Sequence, residues 1–275
     1  MDVRHLPNDE HAKRLDTTDL RSNFLIQKLF SAGQIRLVYS HADRMIVGGA
    51  VPTDSALTLD AGKELAAEYF AERREIGFFN IGGAGSVSVD GKDYRVEKYE
   101  MVYVGRGSRD IRLSSANSDH PARFFLVSLS AHAAYPTAHI KQADANPVML
   151  GNQDASSERT IYQYIHEDGV KSCQLVMGYT ALARGNVWNT MPAHTHDRRS
   201  EVYMYFDLND AVVFHLMGQP SETRHLVMRE GEAVISPGWS IHAGVGTTNY
   251  CFVWAMGGEN QSFTDMDMVA MSDLR

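Results

Sequence analysis

Residues 191–206 read MPAHTHDRRSEVYMYF. His194 and His196 are separated by one residue, and Glu201 follows the second histidine after four intervening residues. On an extended strand, residues i and i+2 point to the same face, so the two imidazoles project side by side, about 6–7 Å apart at the backbone. A turn through Asp197-Arg198-Arg199-Ser200 would let the next strand bring Glu201 in beside them. Two imidazoles and a carboxylate form the nitrogen and oxygen donor set that suits Zn, Fe, Mn or Ni. Downstream, GEAVISPGWSIH (231–242) places His242 at the end of a strand-turn-strand unit, as a third imidazole for the same set.

The surrounding sequence is β-rich. Short strand-like stretches recur in the first half, including IRLVYS (35–40), IGFFNI (76–81), MVYVGR (101–106) and ARFFLVSLS (122–130). The texture returns in RTIYQYI (159–165), EVYMYFDL (201–208), AVVFHLM (211–217) and CFVWAMGG (251–258). Many short strands punctuated by Gly, Asn and Asp mean a sandwich or barrel, not alternating βα units. Asp90-Gly91 inside VSVDGKDYRV is a hairpin turn. Helix is expected only within residues 12–30 and 61–71, and the Asn, Asp, Ser and Ala-rich stretch 136–158 reads as a linker. RREIGFFNI (73–81) resembles RSEVYMYFDL (199–208), and YEMVYVGRGS (99–108) resembles GEAVISPGWS (231–240), in the same order. The expectation is therefore an all-β chain of two tandem barrels with a few short helices, cut as 1–140 and 141–275. On that repeat, Glu75 falls where Glu201 stands and Asp110 where His242 stands, with no histidine pair beside them. The first barrel is expected to lack metal ligands and to serve structure or assembly.

Composition narrows the function classes. The chain has 275 residues, 26 Lys+Arg against 34 Asp+Glu, and a formal charge of −8. An acidic balance argues against a nucleic-acid binder, whose phosphate contacts need a basic surface. It leaves room for an anionic small substrate, because a local Arg or Lys can capture a carboxylate. Two cysteines, Cys173 and Cys251, cannot build a disulfide framework and fit a reducing compartment. The first sixteen residues carry Asp2, Asp9, Glu10 and Asp16 and no apolar run, unlike a signal or transit peptide. A soluble cytoplasmic protein is expected, without membrane or nucleic-acid partners. No nucleophile elbow, P-loop or dinucleotide fingerprint is present, and Gly82-Gly83-Ala84-Gly85 reads as a barrel corner. Among twelve histidines, His215 and His225 lie on strands outside the ligand framework and read as core or surface residues.

The His-x-His-x4-Glu core, with Gly231, Pro237 and His242 downstream, resembles the two motifs of the cupin superfamily. The turn positions depart from that pattern: Gly238 directly follows Pro237, and the nearest Gly ahead of the first motif is Gly185. Longer runs are more specific. VWNTMPAHTHDRRSEVYMYF (187–206), FHLMGQPSETRH (214–225), AVISPGWSIHAGVG (233–246), GENQSFTDMDMV (258–269) and NIGGAGSVSVDG (80–91) strongly resemble the 5-keto-4-deoxyuronate isomerase family, over nearly the whole chain. The resemblance implies a bicupin of two jelly-roll barrels. It implies a ketol-isomerase converting 5-dehydro-4-deoxy-D-glucuronate to 3-deoxy-D-glycero-2,5-hexodiulosonate in pectin degradation. It further implies one Zn2+ per subunit, with Fe2+ or Mn2+ less favoured, on His194, His196, Glu201 and His242, and a homohexamer.

If Glu201 points inward, alternation sends Tyr203 and Tyr205 inward too. Tyr203, nearer the metal, is the candidate for proton transfer, against a plain core role. The substrate carboxylate calls for an Arg fork or a Lys. Arg224 is the chosen candidate among Arg184, Arg198, Arg199 and Arg224. Two rivals remain: a ferrous cupin dioxygenase with the same ligands, and a non-catalytic sugar-binding bicupin. Nothing in the sequence resembles the DNA-reading helix pair a sensor usually carries.

Overall fold

The computed structural model describes all 275 residues. It is all-β with short helices, in two compact units whose segments interleave. The first unit comprises residues 1–4, 28–145 and 164–177, and the second 5–27, 146–163 and 178–275. The expected single cut after residue 140 is thus replaced by exchanged segments. The stretch 136–158 is not a featureless linker: Ala138–Ile140 pairs with Met101–Val104, and Asn146–Leu150 pairs with Arg159–Ile165. No helix is long and apolar enough to cross a membrane.

The first unit combines a seven-stranded sheet with a four-stranded one. The centre of the larger sheet is Phe124–Ser130, Arg74–Asn80 and Met101–Val104, all antiparallel. Its even-numbered residues Ile76, Phe78, Val102, Val104, Phe124 and Leu126 pack against Val87, Val89, Ile111 and Leu113 of the smaller sheet. All are essentially inaccessible, and each large apolar side chain buried this way contributes roughly 1.5–3 kcal/mol. The hairpin is as expected: Val89 pairs with Lys92 across Asp90 and Gly91, both at positive φ (50° and 82°) as a type I′ turn requires.

The second unit repeats the arrangement. Its seven-stranded sheet centres on Cys251–Gly258, Arg199–Phe206 and Ala233–Ser236, and its four-stranded sheet carries Val213–Gln219 and Ala243–Gly246. In both units the middle strand is closed by the same backbone pattern. Asn80 exchanges hydrogen bonds with Glu100 and Tyr99, and Tyr205 with Glu232 and Gly231. This equates Asn80 with Tyr205, and hence Ile76, not Glu75, with Glu201. The first repeat segment read from sequence, 73–81 on 199–208, is one residue out of register, whereas the second, 99–108 on 231–240, is in register; a slip of one turns a side chain to the opposite face.

The helical expectation within 12–30 narrows to Thr17–Phe24, where Asp16 caps the first turn by accepting from the Asp19 N–H at 2.9 Å. The chain then extends into the short strand Leu25–Ile26, which pairs with Ala233 and Val234. Within 61–71 only one turn of helix, Gly62–Leu65, and the start of a 3-10 turn, Phe70–Glu72, appear.

Candidate metal centre

His194 lies on the two-residue strand His194–Thr195, which pairs with Asp267–Met268. His196 follows it, and its N–H is bound by the Gly238 carbonyl at 3.1 Å. Glu201 projects from Arg199–Phe206 opposite Ser236, and His242 sits just ahead of Ala243–Gly246. The four expected ligands therefore come from three separate stretches and converge. His194 Nε2 is 3.1 Å from His196 Nε2 and 3.0 Å from His242 Nε2. Glu201 Oε2 is 3.3 Å from His196 Nε2 and 3.1 Å from His242 Nε2.

Hydrogen bonding does not account for this convergence. His196 Nδ1 lies between the Asp265 carbonyl at 2.9 Å, which accepts, and Arg199 Nη2 at 3.0 Å, which donates, while its Nε2 faces the cluster. His242 Nδ1 faces the Ser240 carbonyl at 3.4 Å in the same sense. His194 can supply one N–H at most. Glu201 Oε2 is buried without any hydrogen-bond donor. A buried carboxylate oxygen among imidazole lone pairs needs a cation. The edges fit one: ligands 2.0–2.1 Å from a divalent ion stand about 2.9 Å apart at right angles and about 3.3 Å apart at the tetrahedral angle. Burial, reinforced by the neighbouring imidazoles, drives His242 well below its usual range and His194 to about 3. Both are thus neutral, the form that ligates.

A second layer fixes the ligand strand. Arg198 chelates Asp265 through Nε at 2.9 Å and Nη2 at 2.6 Å and reaches Asp267 at 2.7 Å; these bonds hold the Asp265 carboxyl far below its usual value. Arg199, 1% exposed, donates to the Ser262 carbonyl at 2.5 Å and to the Asp265 carbonyl at 2.8 Å. That carbonyl is the one that orients His196.

Beside the cluster is a pocket of about 210 Å3. His194, His196 and Glu201 form one end, and much of the wall is apolar, including Met191, Phe252, Trp254 and Phe263. Tyr203 lines it, as alternation from Glu201 requires. Thr190 Oγ1 donates to Asn189 at 2.8 Å, so it receives the Tyr203 O–H at 3.0 Å. Burial and the nearby Glu201 push the Tyr203 phenol well above its usual range, which keeps it a hydrogen donor. Tyr205 is inward but further along, bound to His215 Nδ1 at 2.8 Å. His215 is a core residue that burial holds neutral, at about 3, and His225 packs on the exposed Phe214.

The structure corrects the arginine choice. Arg224 does not line the pocket: its guanidinium is bound to the carbonyls of Ala12, Lys13 and Leu15, the last at 2.6 Å. Arg198 and Arg199 belong to the layer behind the ligands, and Arg184 is exposed and outside the pocket. Arg159 is the only Lys or Arg in the pocket wall. On its strand it shares a face with Ile161, Gln163 and Ile165.

In the first unit, Glu75 and Asp110 are not turned into the barrel. Glu75 lies on the face opposite Ile76 and Phe78, and Asp110 pairs with Arg112 at 2.9 Å while Ile111 and Leu113 enter the core.

The sequence pattern of the KduI/IolB family matches residues 24–271. This chain belongs to that family. Two full-length relatives are the 4-deoxy-L-threo-5-hexosulose-uronate ketol-isomerases of Halalkalibacterium halodurans, 53% identical over 276 residues, and of Dickeya dadantii, 52% identical over 278, with 100% of both chains covered in each. Among solved structures, an IolB-like protein from Salmonella typhimurium superposes with a TM-score of 0.73 at 12% identity, covering 90% of this chain and 97% of that one. Bacillus subtilis oxalate decarboxylase gives 0.61 at 10% identity, covering 87% and 78%. The KduI/IolB chain is thus a bicupin, and its second barrel carries the histidine cluster.

Proposed function

We infer that the protein is a ketol-isomerase, an intramolecular oxidoreductase, converting 5-dehydro-4-deoxy-D-glucuronate to 3-deoxy-D-glycero-2,5-hexodiulosonate. The observation that carries the reading is a coincidence of two things. Full-length identity of about half links the chain to the named ketol-isomerases, and a cluster of three histidines and Glu201 opens on a mostly apolar pocket.

The reaction moves one proton from C2 to C1 and one from the C2 hydroxyl to the C1 oxygen, through an enediol. Negative charge builds on oxygen as the C2 proton leaves. His194, His196, Glu201 and His242 would hold the divalent cation, proposed as one Zn2+ per subunit. Bound there, the ion supplies Lewis acidity toward the carbonyl oxygen and its neighbouring hydroxyl. Tyr203 presents a neutral O–H on the same wall, oriented by Thr190, and is proposed to hold and relay the oxygen-side proton. The apolar wall excludes water from the enediol, which otherwise exchanges or eliminates. A cytoplasmic homohexamer acting in polyuronide breakdown completes the proposal and rests on the family resemblance.

Incubation of the metal-loaded protein with the unsaturated-uronate breakdown product in deuterium oxide, followed by NMR, tests it. The expected result is 2,5-diketo product, with deuterium at the former aldehyde carbon, now the hydroxymethyl group, wherever the migrating proton exchanges with solvent. No ketose at full metal occupancy would overturn the isomerase reading, and oxygen consumption by an iron-loaded form would favour the dioxygenase instead.

A further inference from the structure

We propose that Arg159 is the carboxylate-recognition residue of this pocket and the determinant that makes the enzyme select sugar acids over neutral sugars. The inference rests on the isomerase reading for the identity of the sugar, but its geometry stands independently.

Arg159 opens the strand Arg159–Ile165, opposite Leu150 on the neighbouring strand. Alternation turns Arg159 and Ile161 to the same face, and both line the pocket that holds the histidine cluster. The guanidinium is largely buried, yet no Asp or Glu pairs with it; its one protein acceptor is the Ser157 carbonyl, 2.8 Å from Nη1. Nε and Nη2 therefore keep the two-pronged edge that matches a carboxylate. A desolvated cation without a counter-charge is costly unless a ligand brings one, and burial does pull Arg159 below its usual range. Trp254, 3% exposed and in the same wall, has an indole N–H without an acceptor. A guanidinium edge with no protein acceptor, in a wall that bears no other Lys or Arg, points to an anionic ligand. One end of the pocket thus holds the cluster that meets the carbonyl, and Arg159 supplies the contact for the acid group.

The test uses the metal-loaded full chain and its Arg159→Met and Arg159→Lys variants, with circular dichroism and metal content measured on each. Isomerase kinetics give KM and kcat, and calorimetry compares D-galacturonate with D-galactose as probes. Wild type is expected to bind galacturonate more tightly than galactose. Arg159→Met is expected to raise KM by about 30- to 100-fold, the size of a lost charge-assisted contact, and to abolish the acid preference while metal and fold are retained. Arg159→Lys should keep part of that preference. An equal affinity of wild type for the two probes, or an acid preference unchanged in Arg159→Met, overturns the proposal. Absent turnover in wild type with the acid preference present overturns the isomerase reading and leaves Arg159 assigned.

Discussion

Glu75 and Glu201 are the same residue in two similar stretches, RREIGFF and RSEVYMY, yet they sit on opposite faces of corresponding strands. Glu201 enters its barrel, where Oε2 has no hydrogen-bond donor and lies 3.3 Å from His196 Nε2 and 3.1 Å from His242 Nε2. Glu75 leaves its barrel and is fully buried against the segment 164–177 of its own unit. There its carboxylate accepts from the N–H groups of Cys173 at 2.6 Å, Gln174 at 2.7 Å and Leu175 at 2.8 Å, and from the Tyr103 O–H at 2.7 Å. Two residues on, Gly77 admits Met177: a Cβ there would meet its Sδ at 2.5 Å. A buried carboxylate must be compensated. One barrel does this with fixed backbone donors and gains a structural staple. The other leaves the charge without a donor, open to the cation proposed above.

The comparison is broken most severely at Glu201. Glu201→Ala or His194→Ala removes a ligand from a site whose Lewis acidity is worth several kcal/mol, so activity should fall by about a thousandfold or more. Metal content by elemental analysis should fall with it, while the first unit keeps its thermal transition. Stoichiometric metal in both variants would refute the ligand assignment.

Glu75→Ala is the mirror experiment. It strands three buried N–H groups and a phenol, at a cost of roughly 3–5 kcal/mol in urea unfolding, with metal content unchanged. Loss of metal without loss of stability would mean that the two glutamates had been assigned the wrong way round.

The fold class and the convergence of the three histidines with Glu201 were legible because both rest on short-range periodicity: strand alternation for the barrels, and His-x-His with a spaced Glu and a downstream His for the cluster. The register of the first repeat segment was not. RRE and RSE align by identity, but backbone pairing equates Ile76 with Glu201, and only pairing partners distant in sequence fix that single step. The interleaved units were hidden for the same reason, since which sheet a segment joins is a tertiary matter. Arg159 lies outside the motif runs, and only the packing of its strand beside the cluster places it in the pocket wall.

Tyr203→Phe probes the inward face beyond the ligand. It removes one O–H and little volume, so kcat should drop by about 10- to 100-fold with metal and stability near wild type. An unchanged kcat would return Tyr203 to the role its counterpart Phe78 fills in the first barrel, that of packing.

The smallest effect is expected at Arg224, and it sharpens the contrast by showing a staple in the reactive unit. Arg224 lies on Glu222–Met228 and reaches the carbonyls of Ala12, Lys13 and Leu15, at the end of the short helix Asp9–Ala12 and just before the helix Thr17–Phe24. These acceptors are backbone groups near a helix end that would otherwise need water or another cap. Neighbouring donors are already engaged: Arg21 binds the Val227 carbonyl at 3.2 Å, and Gln219 binds Asp9 at 2.5 Å. Arg224→Met keeps the aliphatic stem and loses only the guanidinium, so unfolding should shift by about 1–2 kcal/mol. KM for the uronate should stay within about twofold, because the guanidinium faces backbone carbonyls and not the pocket. A roughly tenfold rise in KM with unchanged stability would instead move Arg224 to the substrate. It would also mean that partners, which separate the two glutamates, do not separate the two arginines.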